Sequence, residues 1–190
     1  SLAFGRMLKY GTDLSIESML DQVQKTRYRG GKVNDYPSRL HYTSDWIFDN
    51  VRKGTIKDLS ATLPGAKPIQ FQVGYMSANP EKYKALKMRP NLVPIIRSQE
   101  EAIKKRTYHY VPTASIAAAE PKLKTGDIVG LVTNTGGIDI SHTGLCYRDA
   151  GVVKFLHANS RAKKVMLDER LSAYLAKDKK AIGIVVVRPL

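Results

Sequence analysis

Two of the chain's four histidines, His142 and His157, lie with its single cysteine, Cys146, in the stretch DISHTGLCYRDAGVVKFLHANS, residues 139–160. A thiol beside an imidazole is a nucleophile and its base, and a second imidazole can orient the first. The base must come within about 2.6–3.2 Å of the thiol. Cys146 follows His142 by four residues on one strand-like segment, so the two share a face but stand roughly 13 Å apart at about 3.3 Å per residue. Cys146 sits in the apolar context LCY and reads as structural, free cysteine being among the most buried residue types. The two histidines fit each other better. A turn at Arg148–Gly151, centred between residues 149 and 150, sets His142 directly opposite His157. Cross-strand neighbours have Cβ atoms about 4.5–5.5 Å apart. That is the base and orienter of a nucleophilic site, and equally the pattern of two histidines paired on a sheet face for packing. No metal is expected: only two ligands cluster, and neither nearby aspartate has a ligand spacing.

The elements that must hold these residues come from periodicity. TGDIVGLV, SHTGLCY, VVKFLHA and KKVML read as four strands after Thr125, with RDAG turning the second into the third. Asp168 or Glu169 opens a short helix through Leu171, Tyr174 and Leu175. AIGIVVVRP is a last strand, apolar throughout as a strand buried on both faces would be. Upstream, residues 2–10 read as a helix with apolar Leu2, Phe4, Met7 and Leu8, for which Ser1 is the only preceding cap. Ile16, Met19, Leu20 and Val23 form a helical stripe, with Asp13 or Ser15 as N-cap. RYRGGKVNDYPSRLHYTSDW, residues 27–46, is a turn-rich loop dense in Arg, Tyr, His and Trp. Ser44 caps a short helix through Ile47, Phe48 and Val51. Residues 68–76 alternate as a strand, Ser98 with Glu101 forms a capping box for a helix over 99–106, and TYHYVP is extended. Helices first and strands after give an α+β fold with a mostly antiparallel sheet, as one domain over residues 1–190.

The chain has 190 residues and a formal charge of +14, with 43% hydrophobic and 25% charged residues. That is an ordinary globular composition. No run approaches the roughly 18 apolar residues that span a bilayer. No secretory leader is visible at Ser1–Arg6. One cysteine says nothing of redox compartment. The charge favours an anionic partner, such as nucleic acid, an acidic polymer or cell wall, or serves solubility alone. The basic residues are scattered and no aromatic-interleaved RNA motif appears, so no nucleic-acid partner is expected.

TGDIVGLV, SHTGLCY and FLHANS together resemble the NlpC/P60 superfamily of papain-like cell-wall peptidases and amidases. RYRGGKVNDYPSRLHYTSDWIFDN with GIDISHTGL is similar, more narrowly, to its N-acetylmuramoyl-L-alanine amidase-like branch, formerly a family of unknown function numbered 1460. The resemblance covers nearly the whole chain. It implies a papain-like fold whose N-terminal helices pack on the sheet, with residues 27–110 as an inserted helical and loop lobe for substrate recognition. It also implies hydrolysis, without metal or cofactor, of the amide between N-acetylmuramic acid, or its anhydro form, and L-alanine in peptidoglycan fragments, by a Cys–His–His site in the bacterial cell envelope. His142 would be the base and His157 its orienter. Arg39 would pair with a carboxylate of the muropeptide. His41, Tyr42, Asp45 and Trp46 would line the substrate loop, though Trp46 equally suits a core and Asp45 a helix cap. Asp139, Ser141 and Asn159 would border the catalytic strands, Asp139 equally as a turn residue.

The family carries its cysteine in a D-C-T-x-F-V-E-like motif at the N-terminus of the first helix, where amides and dipole favour a thiolate. The helix SLAFGRMLKY begins without that motif. The expectation is a parent polypeptide extending upstream, with the cysteine within about two helical turns of Ser1. Other functions remain open at this level: a catalytically silent peptidoglycan-binding module, or a basic nucleic-acid-binding domain.

Overall fold

The computed structural model describes residues 2–11 and 13–190, with the side chain of Phe4 outside that description, as is the capping role read for Ser1. Its elements run α1 (Leu2–Lys9), α2 (Ile16–Arg27), α3 (Thr43–Arg52), β1 (Ile56–Asp58), β2 (Lys67–Ile69), α4 (Tyr75–Ala78), α5 (Lys84–Met88), α6 (Val93–Lys104), β3 (Tyr108–Pro112), α7 (Ile116–Ala119), β4 (Ile128–Thr133), β5 (Ile140–Asp149), β6 (Val152–Asn159), β7 (Lys164–Arg170), α8 (Leu171–Ala176) and β8 (Ala181–Pro189), with short 3-10 turns between them. The strands form one sheet in the order β2-β3-β8-β4-β5-β6-β7, with β1 also paired to β8. Every strand ladder is antiparallel.

The apolar run AIGIVVVRP is central because both of its faces are covered. Ile184 and Val186 join one core with Val129, Leu131, Cys146, Phe155, Leu171 and Leu175. Val185 and Val187 join a second core with Ile56, Phe71, Ile96, Ile103 and Val132. Strand alternation sends successive side chains to opposite faces, so a strand covered on both sides must be apolar at every position. Each fully buried Val, Leu or Ile contributes about 1.5–3 kcal/mol relative to exposure. Residues of α3 to α6 supply the second core; α7, α8 and the turns beside them close the first. No helix is long and apolar enough to cross a membrane among the described residues.

Several local expectations change. Residues 68–76 are a strand only as far as Ile69; Val73 makes a lone bridge to Gly137 and Tyr75 begins α4. Ser98 lies inside α6, which starts at Val93 with proline in its first turn, a position where the missing amide costs nothing. Asp168 and Glu169 belong to β7, not to the helix that follows. Ser44 is inside α3 rather than its cap. In α2, Ser15 is the N-cap, accepting from the Ser18 amide at 3.1 Å. The stripe read there is not a buried face: Ile16 is 76% and Leu20 61% exposed.

Candidate active site

The β5–β6 hairpin decides where the histidines meet. Asp149 pairs with Val152 and Cys146 with Phe155, so the turn residues are Ala150 and Gly151, with φ of 45° and 83°. Left-handed conformation at both central positions is the type I′ turn, whose twist matches that of the strands. The turn therefore centres one residue later than the sequence suggested, and the register slips by two. His142 is not directly opposite His157; the pair is diagonal. A slip of two keeps every side chain on its face, because the strand period is two. Diagonal neighbours remain within reach when the side chains are aromatic or long.

Nε2 of His142 lies 2.8 Å from Nδ1 of His157, with the rings edge to face at 4.9 Å. The spacing H-x-G explains how this packs. A Cβ on Gly144 would fall 2.5 Å from Cε2 of Phe155 and 2.6 Å from the Leu156 carbonyl oxygen. Glycine lets the Phe155 ring lie over the β5 backbone. His157 stacks on that ring at 4.8 Å and 17°, and Tyr174 of α8 closes the edge at 5.2 Å from His157. His157 is buried and His142 half-buried. Burial, then the neighbouring His157, hold the His142 imidazole below its usual value of 6.5, against a smaller opposing effect of Asp178.

Two bulges bring further side chains into the cleft beside the pair. Leu131 pairs with His142 but Val132 with Ile140, which leaves Ser141 unopposed. Leu156 pairs with Leu167 but Lys154 with Arg170, so Asp168 and Glu169 together face Phe155. Bulges re-aim side chains in this way. Ser141 thereby lines the same cleft as His142, and Oδ2 of Asp168 reaches 3.3 Å from Nε2 of His157. Oδ1 of Asp168 accepts from the Glu169 amide at 2.9 Å, the leading cause that holds this carboxyl below its usual range. The cleft measures about 620 Å³. His142, His157, Ser141 and Asn159 line it together with Asp168, Arg161, Tyr174 and the ion-paired Glu169 and Lys177. Asn159 spends its side-chain oxygen on the amides of Arg161 and Ala162, both at 3.0 Å.

Cys146 stands apart. It is 1% exposed, within the core, and burial pushes its thiol up to about 12.

The remaining residues singled out from the sequence do not line this cleft. Asp139 is buried; its oxygens accept from the Ser44 amide at 2.6 Å and the Ile140 amide at 2.8 Å, so it caps α3 from across the fold and ties it to the start of β5. Burial raises its carboxyl while those amides lower it. Asp45, in the first turn of α3, holds Arg29 at 2.6 Å and Arg106 at 2.7 Å. The Tyr42 hydroxyl donates to Glu100 at 2.7 Å and accepts from the Met76 amide at 3.1 Å, inside the second core. Trp46 packs against that core. His41 lies tilted against Tyr36 with ring centroids 4.5 Å apart, and its Nε2–H donates to the Tyr36 carbonyl at 3.1 Å. Arg39 is exposed, and among the described residues no side chain pairs with it.

Asp168, Tyr174 and Glu169 were not expected at the site. Asp-Glu before an apolar helical stripe looks like a helix start, and the bulge that turns Asp168 inward leaves no mark in local periodicity.

The family model described as AmiA-like, N-acetylmuramoyl-L-alanine amidase-like, matches residues 6–184. Among solved structures, an N-acetylmuramoyl-L-alanine amidase from Bacteroides uniformis is 36% identical with a TM-score of 0.90, over 99% of this chain and 79% of that one. A Bacteroides fragilis protein provisionally called a xylanase is also 36% identical, with a TM-score of 0.88 over 98% and 82%. A Legionella pneumophila protein with the family model of unknown function 1460 shares the fold, at 24% identity and a TM-score of 0.64 over 93% and 70%. No curated protein matches the chain.

Proposed function

Because the chain belongs to the N-acetylmuramoyl-L-alanine amidase-like family, we propose that it hydrolyses the amide between the lactyl group of N-acetylmuramic acid, or its anhydro form, and L-alanine in muropeptides. The observation that carries this reading is the 2.8 Å contact between His142 and His157 at the wall of the cleft. His142 takes a thiol proton, the thiolate attacks the amide carbonyl, and His142 returns the proton to the departing alanine nitrogen. Water, deprotonated by the same imidazole, then releases the acyl group. His157 orients His142 throughout.

Cys146 does not supply the thiolate, because it is buried in the core with a thiol that burial keeps protonated at neutral pH. The nucleophile of this reading is a cysteine outside the 190 residues, as the papain-like NlpC/P60 resemblance implies. Ser141 and Asn159 border His142 and contact the muropeptide. Arg39, with His41 beside it, meets a muropeptide carboxylate at the outer edge, within a recognition lobe over residues 27–110. Tyr42, Asp45, Trp46 and Asp139 shape that lobe from within. The reading places the protein in the cell envelope or outside the cell.

The test supplies the full-length protein separately with muramyl-L-alanyl-D-isoglutamine and with xylan. Release of a dipeptide with a free L-alanine amine is the expected product. New reducing ends on xylan without amide cleavage would overturn the proposal. Tight muramyl-peptide binding by the full-length protein without turnover would favour a silent binding module, the reading that gains from the burial of Cys146.

A further inference from the structure

We infer that Asp168 is a positioning residue that fixes where protons sit on the histidine pair. Its carboxylate holds a proton on Nε2 of His157. Nδ1 of His157 must then accept from Nε2–H of His142, and Nδ1 of His142 is left bare as the base.

The inference follows from donor counting along a short chain. A neutral imidazole has one N–H and one bare nitrogen. The contact of 2.8 Å between Nε2 of His142 and Nδ1 of His157 needs one of each. By itself that contact is symmetric: either ring can donate, and the two arrangements leave Nδ1 of His142 either bare or protonated. Only one of them leaves its free nitrogen able to take a proton. Asp168 breaks the symmetry. In the reverse arrangement, a bare Nε2 of His157 would face a carboxylate oxygen at 3.3 Å, two acceptors opposed at a buried ring. In the forward arrangement that contact becomes a charge-assisted hydrogen bond, the stronger kind.

The carboxylate is held for this purpose. One oxygen accepts from the backbone amide of Glu169, and the other is left for His157. Both depend on the bulge at Asp168–Glu169, since regular pairing of β7 would give Phe155 a single partner. Lys177, the nearby cation, is engaged by Glu169. The catalytic consequence rests on the amidase reading above; the placement of the protons does not.

The experiment is ¹⁵N NMR of the imidazole nitrogens at a pH where both rings are neutral, on the unmodified chain and on Asp168→Asn and Asp168→Glu. The expected result has Nε2 protonated and Nδ1 bare in both histidines of the unmodified chain, and the same in Asp168→Glu. An ionised aspartate only accepts, whereas asparagine offers a neutral, weaker acceptor and a donor, so Asp168→Asn removes the bias and raises proton occupancy on Nδ1 of His142. In turnover measurements on the full-length protein, Asp168→Asn should lower kcat at least about tenfold, with KM changed less than about twofold. A proton on Nδ1 of His142 in the unmodified chain would overturn the inference, even if neither variant folds. So would an unchanged pattern in a folded Asp168→Asn. The expected pattern in a protein that cleaves no muramyl peptide would sink the amidase reading and leave the assignment of Asp168 standing.

Discussion

His142 sits where burial and a second imidazole both oppose its protonation. An imidazole that stays neutral at pH 7 can take a proton from a thiol. Its titration, followed by NMR, should have a midpoint below 6.5. The sign for stability follows: between the lowered folded value and 6.5 the unfolded chain binds more protons, so stability gained at this residue rises with pH and levels off above 6.5. A midpoint above 6.5 would mean that Asp178 outweighs burial and His157 together. At this scale the sequence indicated which residues gather at the cleft better than the register that brings them there. His142, His157, Ser141 and Asn159 all line the cleft, and Cys146 is core, as its apolar LCY context indicated. Asp168 was hidden because its inward turn depends on a bulge, which tertiary pairing creates and local pattern does not record.

Strands and turns explain why the histidine pair survives an error in register. Moving the hairpin centre by one residue slides the partners by two and leaves both rings on one face. The packing beneath them is less forgiving. Gly144→Ala would press a methyl group against Phe155 and the Leu156 carbonyl. A cost of about 1–3 kcal/mol is expected from overpacking, with a fall in kcat because His157 rides on the Phe155 ring. Thermal unfolding and turnover measured together check both. Helix α3 poses the opposite case. Its loop looked like a set of ligand contacts, yet Asp45 binds two guanidinium groups and Asp139 caps the helix from β5. Asp45→Ala should destabilise by about 3 kcal/mol, since it strands two cations around a buried site. Its KM should change little; a raised KM with an unchanged melting temperature would return Asp45 to substrate recognition. The aromatic and charged residues of 36–46 were legible as special, but whether they turned in or out depended on β5 and α6, far away in sequence.

The whole molecule carries a formal charge of +14, from basic residues scattered along the sequence. Such a field draws the protein to anionic polymers and weakens as salt shortens the screening length to about 8 Å near physiological strength. Retention on isolated cell walls should therefore fall steeply with added salt, while hydrolysis of a soluble muramyl peptide changes far less. Equal salt dependence of the two would place the charge in catalysis rather than in delivery. A mixed fold with an antiparallel sheet was readable at this scale, because helices come first and a run of strands follows. The measurement that bears most directly on the whole account compares release of amino-terminal L-alanine from a muramyl peptide by the full-length protein and its His142→Ala and Cys146→Ala variants, with folding of each verified by circular dichroism. The account predicts that Cys146→Ala retains turnover and that folded His142→Ala loses it. A folded Cys146→Ala variant without activity, or an active His142→Ala variant, would contradict it.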